Sequence, residues 1–200
     1  KIYSNLDMDD LYVDNTDYDI TFIVPKNYIL NSDIFSSFQY KGEAKEYILY
    51  GENKLDIELN ITTENDFFEF QSNPVNILTN LTTEKLNTQV QTDIITRELS
   101  FLKSYLGDFP HEYLMINKIE YEKNPVYGFN QLPSFLASFS NTFEWDIQFF
   151  KILSRKYIDN IFVFNQREDS WLADGLQTYL MIKYVEKYYP EVMAIGDVSK

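Results

Sequence analysis

Three ionisable side chains stand at spacings that a pair of helices would bring together. Lys151 and Arg155 are four residues apart and share one face if residues 141–161 form a helix. Asp174 follows on the next predicted helix. Ammonium and guanidinium groups have no lone pair for a metal ion, and Ile152, beside Lys151, cannot accept a proton. Side chains of these types can form an ion pair between two helices, whereas Lys151, Ile152 and Arg155 supply neither a metal ligand nor a general base.

Side chains that bind transition metals are scarce in this sequence. The chain has one histidine, His111, and no cysteine. This excludes a disulfide scaffold, a thiol nucleophile, a zinc finger and an iron–sulfur site. A Ser–His–acid triad would depend on this one imidazole, and so would a metal site completed by carboxylates. Because His111 follows Pro110 at a predicted helix-to-strand junction, we predict an ordinary loop histidine.

The charge balance excludes two classes of partner. With 17 basic and 31 acidic residues the net charge is −14, which repels the phosphate backbones of nucleic acids and anionic lipid. We therefore predict no nucleic-acid partner. The 16 Tyr, 16 Phe and 2 Trp residues supply ample core material, so the chain is predicted to fold. The acidic opening lacks the glycine and the terminal glutamate of an EF-hand loop, which predicts a solvated loop rather than a calcium site. Its aspartates are Asp7, Asp9, Asp10, Asp14, Asp17 and Asp19.

The first 70 or so residues have the pattern of β-strands. Tyr18–Val24 is rich in β-branched residues and ends before a proline. Glu46–Tyr50 and Leu55–Ile61 predict a hairpin around Gly51–Lys54, and Phe67–Phe70 predicts a further short strand. So few strands rarely form a stable domain alone, so we expect the end of a larger β domain.

The pattern becomes helical from about residue 90. An apolar stripe from Ile94 to Leu106 predicts a helix that ends at Gly107, and a strand over Tyr113–Tyr121 is predicted to follow. Asn141, with Glu144 three residues later, predicts the N-cap of a helix that runs to about residue 161.

A second helix is predicted over residues 170–189. Asp169 or Ser170 would cap it, and Pro190 would end it. Trp145 and Trp171 are predicted to fill the core or a cap. The tyrosines of this helix are predicted to pack against neighbours; they are Tyr179, Tyr184, Tyr188 and Tyr189.

These two helices carry a resemblance to a known family. Trp171-Leu-Ala-Asp-Gly175 resembles the W-L-N-E-G-like turn of the aminopeptidase N family, zinc metallopeptidases of the gluzincin clan. Asp174 stands at the position of that turn's zinc-binding glutamate. The family spacing then places the HExxH motif on Lys151-Ile-Leu-Ser-Arg155. Asn160 and Asp169 also stand where the family commonly has Asn and Asp.

The resemblance implies an α+β fold with two parts. Residues 1–72 would be the terminal strands of an aminopeptidase-like N-terminal β domain. Residues 73–200 would be the N-terminal part of a thermolysin-like (gluzincin) catalytic-type domain. The segments Ile23-Val-Pro25, Phe109-Pro110 and Leu114–Tyr121 are similar to the corresponding parts of the family.

Departures from the family's motif imply lost catalysis. Zinc peptidases need two imidazoles four residues apart and a glutamate beside the first as general base. Lys151, Arg155 and Ile152 stand at those positions here. Asp174 alone remains of the three ligands, so we predict no cofactor, although zinc is expected for the family.

A second family element, the G-x-M-E-N loop, binds the free amine of the substrate through its glutamate. Its nearest match is Gly128-Phe129-Asn130-Gln131, predicted as a substrate-cleft loop with Gln131 in place of the acid. The anionic anchor for a peptide N-terminus would then be lost as well. The family's transition-state tyrosine would lie after residue 200.

The sequence thus predicts a fragment of an aminopeptidase-like protein that has lost its zinc site. Such a non-catalytic pseudopeptidase would keep the scaffold and a peptide-binding cleft. Its expected partners are a peptide or protein and the rest of its own longer chain. One alternative is an active metallo-aminopeptidase whose ligands lie outside residues 1–200, or whose metal is held by carboxylates and His111. The other is a plain structural or interaction module.

We further expect Lys151 and Arg155 to pair with Asp174 in place of zinc, because like charges at this spacing destabilise a helix without an opposing anion. Truncating Asp174 would then cost roughly 3 kcal/mol or more. The alternative is that both cations lie on a solvated face, where ion pairs contribute little.

The chain begins at Lys1 without an initiator Met or the basic and apolar regions of a signal peptide. No apolar run approaches the roughly 20 residues that span a bilayer, so we expect no direct membrane insertion in this segment. We expect a segment of a longer bacterial protein. The absence of cysteine fits both the cytoplasm and the periplasm, and the compartment stays open.

Overall fold

The computed structural model describes residues 15–72, 75–126, 139–162 and 170–192, which form an α+β fold. The strands in this part of the chain are β1 (Thr16–Pro25), β2 (Ile29–Ser32), β3 (Phe35–Lys41), β4 (Ala44–Lys54), β5 (Leu59–Thr62), β6 (Phe68–Gln71), β7 (Asn76–Thr79) and β8 (Tyr113–Ile116). The helices are α1 (Thr88–Leu106), α2 (Lys118–Lys123), α3 (Asn141–Ile161) and α4 (Ser170–Tyr188). No helix of the described ranges is both long and apolar enough to cross a membrane.

The first sheet is antiparallel and has the order β1-β4-β3. A two-residue turn at Gly42 joins β3 to β4, and Gly42 has a φ of +64°, a left-handed conformation that glycine adopts without steric cost. Along β4 the side chains alternate, so Tyr47 and Leu49 are buried while Ile48 and Tyr50 are exposed. This alternation places a small apolar core on one face of the sheet.

The predicted hairpin around Gly51–Lys54 is wrong. Strand β4 continues through Gly51 to Lys54, and the residues after it form β5, which pairs with β2 rather than with β4. Gly51 is a position of close approach and not of a turn, since a Cβ built there would lie 2.7 Å from Cγ2 of Ile34. Gly51 is thus a strand glycine that makes room for a neighbouring side chain.

Strands β2 and β5 form the second sheet, and the third sheet has the order β6-β7-β8. Strands β7 and β8 are parallel and are connected through α1, whereas β6 and β7 are antiparallel. The predicted strand over Phe67–Phe70 is confirmed as β6. Strand β6 lies before residue 72, and the strands of its sheet lie after it. The division into residues 1–72 and 73–200 stays a prediction.

The predicted strand Tyr113–Tyr121 is wrong in its second half. Strand β8 ends at Ile116, and Asn117 caps α2 by accepting the backbone N–H of Ile119 at 3.0 Å. Glu120 completes a capping box, because its Oε2 accepts the backbone N–H of Asn117 at 3.1 Å. This cap begins a short helix in place of further strand.

The predicted long helices are confirmed. Gly107 ends α1 with a φ of +91° and donates its backbone N–H to the carbonyl of Lys103 at 3.0 Å. The N-cap of α3 is Ser140, whose Oγ accepts the backbone N–H of Phe143 at 3.1 Å. The predicted cap, Asn141, is therefore one residue too late.

The main core lies between the third sheet and helices α1, α3 and α4. Phe150 and Tyr184 stack with ring centroids 4.1 Å apart, and Tyr184 is fully buried. Trp145 is buried as predicted, and its Nε1 donates to the carbonyl of Leu81 at 3.2 Å. The prediction for Trp171 is wrong, because its exposed fraction is 70%. The buried face of α4 carries residues 173, 180 and 184, a helical spacing that Trp171 does not share.

A buried polar network ties α1, α3 and α4 together. Asp146 on α3 is fully buried and accepts hydrogen bonds from Arg97 on α1 and from Tyr184 and Tyr189. Arg97 in turn donates its Nε to the hydroxyl of Tyr184 at 3.0 Å. We call these four residues the Asp146 network.

Candidate functional site

Contacts between α3 and α4 bring the three predicted ionisable residues to one place. Lys151 and Arg155 lie one turn apart on α3, and Asp174 lies near the start of α4. Gln177 on α4 donates its Nε2 to the carbonyl of Lys151 at 2.6 Å and to Oγ of Ser154 at 3.3 Å. This amide fixes the two helices against each other beside the charged residues.

Arg155 and Asp174 form the predicted ion pair. Nη1 of Arg155 lies 2.6 Å from Oδ1 of Asp174, and Nε lies 2.8 Å from Oδ2 of Asp159 on the same helix. Burial acts to lower the pKa of Arg155, but the hydrogen bonds and charges of the two aspartates outweigh it and raise the pKa. The side chain of Asp174 is 67% exposed, so the pair lies at the surface.

Lys151 does not join this pair. Of the two cations that were expected to pair with Asp174, only Arg155 does so. Its Nζ donates to Oδ1 of Asn124 at 3.0 Å and to the carbonyl of Pro125 at 2.9 Å. Among the described residues it has no carboxylate partner. Partial burial lowers the pKa of Lys151 because the charged form loses solvation.

A cleft of about 250 Å³ opens beside these residues, and we call it the α3–α4 cleft. Its described lining contains the amides of Asn124 and Gln177 and the edge of Ile152, which is only 8% exposed. It also contains three basic and three acidic side chains, which are Lys151, Arg155, Lys156, Glu58, Glu120 and Asp159. A cleft with this lining offers both donors and acceptors to a small polar ligand.

Lys156 is the most buried charge of the cleft, with an exposed fraction of 9%. Its Nζ lies 2.7 Å from Oε1 of Glu120 on α2 and also pairs with Glu58, which precedes β5. Burial acts to lower the pKa of Lys156, but the two carboxylates outweigh it and raise the pKa. Burial raises the pKa of Glu58 to about 7, an effect that Lys156 opposes and Glu120 increases.

The residues that the resemblance places at zinc positions do not fit a metal ion. Lys151 and Arg155 carry positive charges and no lone pair for a metal, and the Arg155 guanidinium is bonded to the carboxylate of Asp174. Within the described ranges no group of three or more His, Cys, Asp or Glu side chains is placed to hold a metal. We therefore derive no chemistry through zinc at this place.

The remaining predicted site residues lie elsewhere. His111 is half-buried beside the ring of Phe109 and does not line the cleft. Burial and the charge of Lys54 lower the pKa of His111, while Asp33 opposes this shift. The predicted substrate-cleft loop, Gly128 to Gln131, lies outside the described residues.

Sequence reasoning missed the carboxylates that pair with Lys156. A signal for the lysine itself was present, because Lys156 follows the buried Phe149 and Ile152 by seven and four residues and so shares their apolar helix face. A lysine on such a face needs a buried partner. Its partner Glu58 is 98 residues away in sequence and carries no local signal.

Comparisons with known proteins give no family for this chain. No model of a protein family matches the sequence, and no curated protein is significantly similar to it. The resemblance to the aminopeptidase N family rests on the residues of α3 and α4 quoted above, and it stays a prediction.

Proposed function

We propose that this chain belongs to an aminopeptidase-like protein that has lost its zinc site and binds peptides in the α3–α4 cleft without cleaving them. The proposal includes a thermolysin-like arrangement of the second half of the chain. The observation that carries it is the position of the cleft. A cleft with donors and acceptors opens at the residues to which the resemblance assigns the zinc site, Lys151, Ile152 and Arg155.

The chemistry of the lining supports binding without catalysis. A zinc peptidase needs a metal-bound water and a carboxylate that takes its proton. Ile152 stands where that carboxylate would be, and the nearby carboxylates of Glu58 and Glu120 are bonded to Lys156. The ion pair of Arg155 with Asp174 links α3 to α4 at positions to which the resemblance assigns zinc ligands.

The size and polarity of the cleft favour a peptide end as the ligand. Small-molecule pockets usually enclose roughly 300–1,000 Å³, so a cleft of about 250 Å³ suits about one terminal residue of a peptide. The side-chain amides of Asn124 and Gln177 are the groups that commonly bond to backbone N–H and C=O.

A cleft-filling variant tests this proposal. Gln177→Trp places a large ring inside the cleft, and Gln89→Trp places the same ring on the exposed face of α1, away from it. Equilibrium dialysis of the 200-residue chain against a pool of tetrapeptides, read by mass spectrometry, measures the bound and the cleaved fractions. We expect the parent and Gln89→Trp to retain intact peptides and Gln177→Trp to retain roughly tenfold less.

Two outcomes would contradict the proposal. Equal retention by the two tryptophan variants would place the peptide outside the cleft, provided that both variants melt near the parent. Failure of the parent chain to retain any peptide would leave a plain structural module.

A further inference from the structure

We infer that the α3–α4 cleft binds the C-terminal carboxylate of a peptide on Lys151. An aminopeptidase binds the opposite end of its substrate, so the polarity of recognition would be inverted. This inference rests on the proposed function, because it names the part of the peptide that the same cleft recognises. It is carried by the way charges are paired within the cleft.

Among the described residues that line the cleft, every charged side chain except one has a partner of opposite charge. Lys156 is paired with Glu58 and Glu120, and Arg155 is paired with Asp159 and with Asp174 outside the lining. Lys151 is the exception, since no carboxylate of the described residues reaches it. Lys151 is therefore the cation of the described lining that has no carboxylate within reach.

The ammonium group of Lys151 is held in place but not neutralised. Two of its three N–H groups donate to neutral oxygens, Oδ1 of Asn124 and the carbonyl of Pro125. The third has no acceptor within the described part of the chain. A partly buried ammonium with neutral partners alone is poorly solvated, and a carboxylate gives it a charge-assisted hydrogen bond. The free protein thus has a place prepared for an anion.

A free amine finds no carboxylate without a cation among the described residues of the cleft. The carboxylates of Glu58, Glu120 and Asp159 are already bonded to cations. Oδ1 of Asp159 has no hydrogen-bond partner among the described residues, but it is buried away from solvent. A peptide N-terminus would therefore have to share a carboxylate that already pairs with a cation.

Neighbouring amides favour a peptide over a bare anion. Gln177 uses Nε2 to bond α3, so its Oε1 is the atom that can accept a ligand N–H. Asn124 uses Oδ1 to hold Lys151, so its Nδ2 is the atom that can donate to a ligand carbonyl. A terminal residue presents a carboxylate, an N–H and a preceding carbonyl, which match these three groups.

Four versions of the tetrapeptide pool test the inference. The peptide ends are free or blocked in all combinations, with N-acetyl and C-amide groups as the blocks. We expect the free-acid pools to bind roughly 10- to 100-fold more tightly than the C-amides, because a hydrogen bond to a charged group is lost. N-acetylation should change binding little. Since these comparisons use the parent chain, they do not depend on a variant that folds.

Substitution of the lysine adds a second readout. Lys151→Met should remove the preference for the free acid, whereas Lys183→Met should keep it, because Lys183 is on the exposed part of α4 and pairs with Glu186. Acetate and inorganic phosphate are included as competitors. We expect neither to displace the peptides at equal concentration.

The contradicting results are distinct. Equal binding of free-acid and C-amide pools, or an acid preference that survives Lys151→Met, would overturn the inference and leave the proposed function standing. Displacement of peptides by an equal concentration of phosphate or acetate would also overturn it, because the cleft would then be a simple anion site. If no pool binds at all, the proposed function falls together with the inference.

Discussion

Two aspartates that pair with arginines between helices should differ strongly in their effect on stability. Asp146 is fully buried, and Asp174 is 67% exposed. Replacing either one by alanine removes an interhelical ion pair. The comparison therefore isolates the effect of burial on similar chemistry, and Asp174→Ala is the matched control for Asp146→Ala.

The Asp146→Ala variant should lose about 3–5 kcal/mol of unfolding free energy, the usual cost of breaking a buried ion pair. The change leaves the hydroxyls of Tyr184 and Tyr189 without their acceptor and Arg97 without its carboxylate. Because Arg97 is 31% exposed, water replaces part of what it loses, which favours the lower end of this range.

The Asp174→Ala variant should lose only about 0.2–1 kcal/mol. Arg155 keeps its bond to Asp159, so no positive charge is left unpaired. The roughly 3 kcal/mol expected from the sequence supposed that Asp174 was partly buried and that Lys151 shared it. The exposure of Asp174 and the separate contacts of Lys151 remove both reasons.

Urea denaturation followed by circular dichroism measures both free energies. For a chain of this size 1 kcal/mol corresponds to about 2–4 °C, so the melting temperatures should fall by about 6–20 °C for Asp146→Ala and by at most about 4 °C for Asp174→Ala. Added salt should shrink the small effect, since exposed charges are screened, and leave the large one. Similar losses for the two variants would refute the reasoning.

Further predictions concern three other positions. Glu98 is fully buried, and burial together with the charge of Asp146 raises its pKa well above the usual range. The folded state therefore keeps a proton that the unfolded chain releases above about pH 4, so stability falls as pH rises. Glu98→Gln should weaken this pH dependence of stability in urea melts at pH 5 and pH 8. An unchanged pH dependence would contradict the prediction. Gly51→Ala should cost about 1–3 kcal/mol in the same melts because its Cβ meets Ile34, and a neutral result would show that the sheet yields easily. Lys156→Met should lower the unfolding free energy by about 2 kcal/mol, and by more at pH 8 than at pH 5, since it leaves the carboxylates of Glu58 and Glu120 facing each other. A loss of stability that does not depend on pH would count against this pairing.

The long helices were the most predictable part of the fold, because their signals are local. The apolar stripe before Gly107 and the position of α3 and α4 could be read from spacing and caps alone. The strands were harder to predict. Glycine is common in turns, so Gly51 suggested one. Only the approach of Ile34 from another segment explains why a glycine stands at this position of a strand.

The candidate site was predictable only in part for the same reason. The pair of Arg155 with Asp174 follows from residues on consecutive helices. The contacts of Lys151 with Asn124 and of Lys156 with Glu58 depend on which segments lie over α3, and no local spacing encodes that.

A zinc reconstitution experiment shows whether the α3–α4 cleft holds peptides without cleaving them. The chain is incubated with equimolar zinc chloride and the tetrapeptide pool, then passed through gel filtration. The zinc content, bound peptides and cleavage products are measured with and without chelator. We expect intact peptides on the protein, no retained zinc and no effect of the chelator. Stoichiometric zinc together with cleavage that the chelator stops would contradict it.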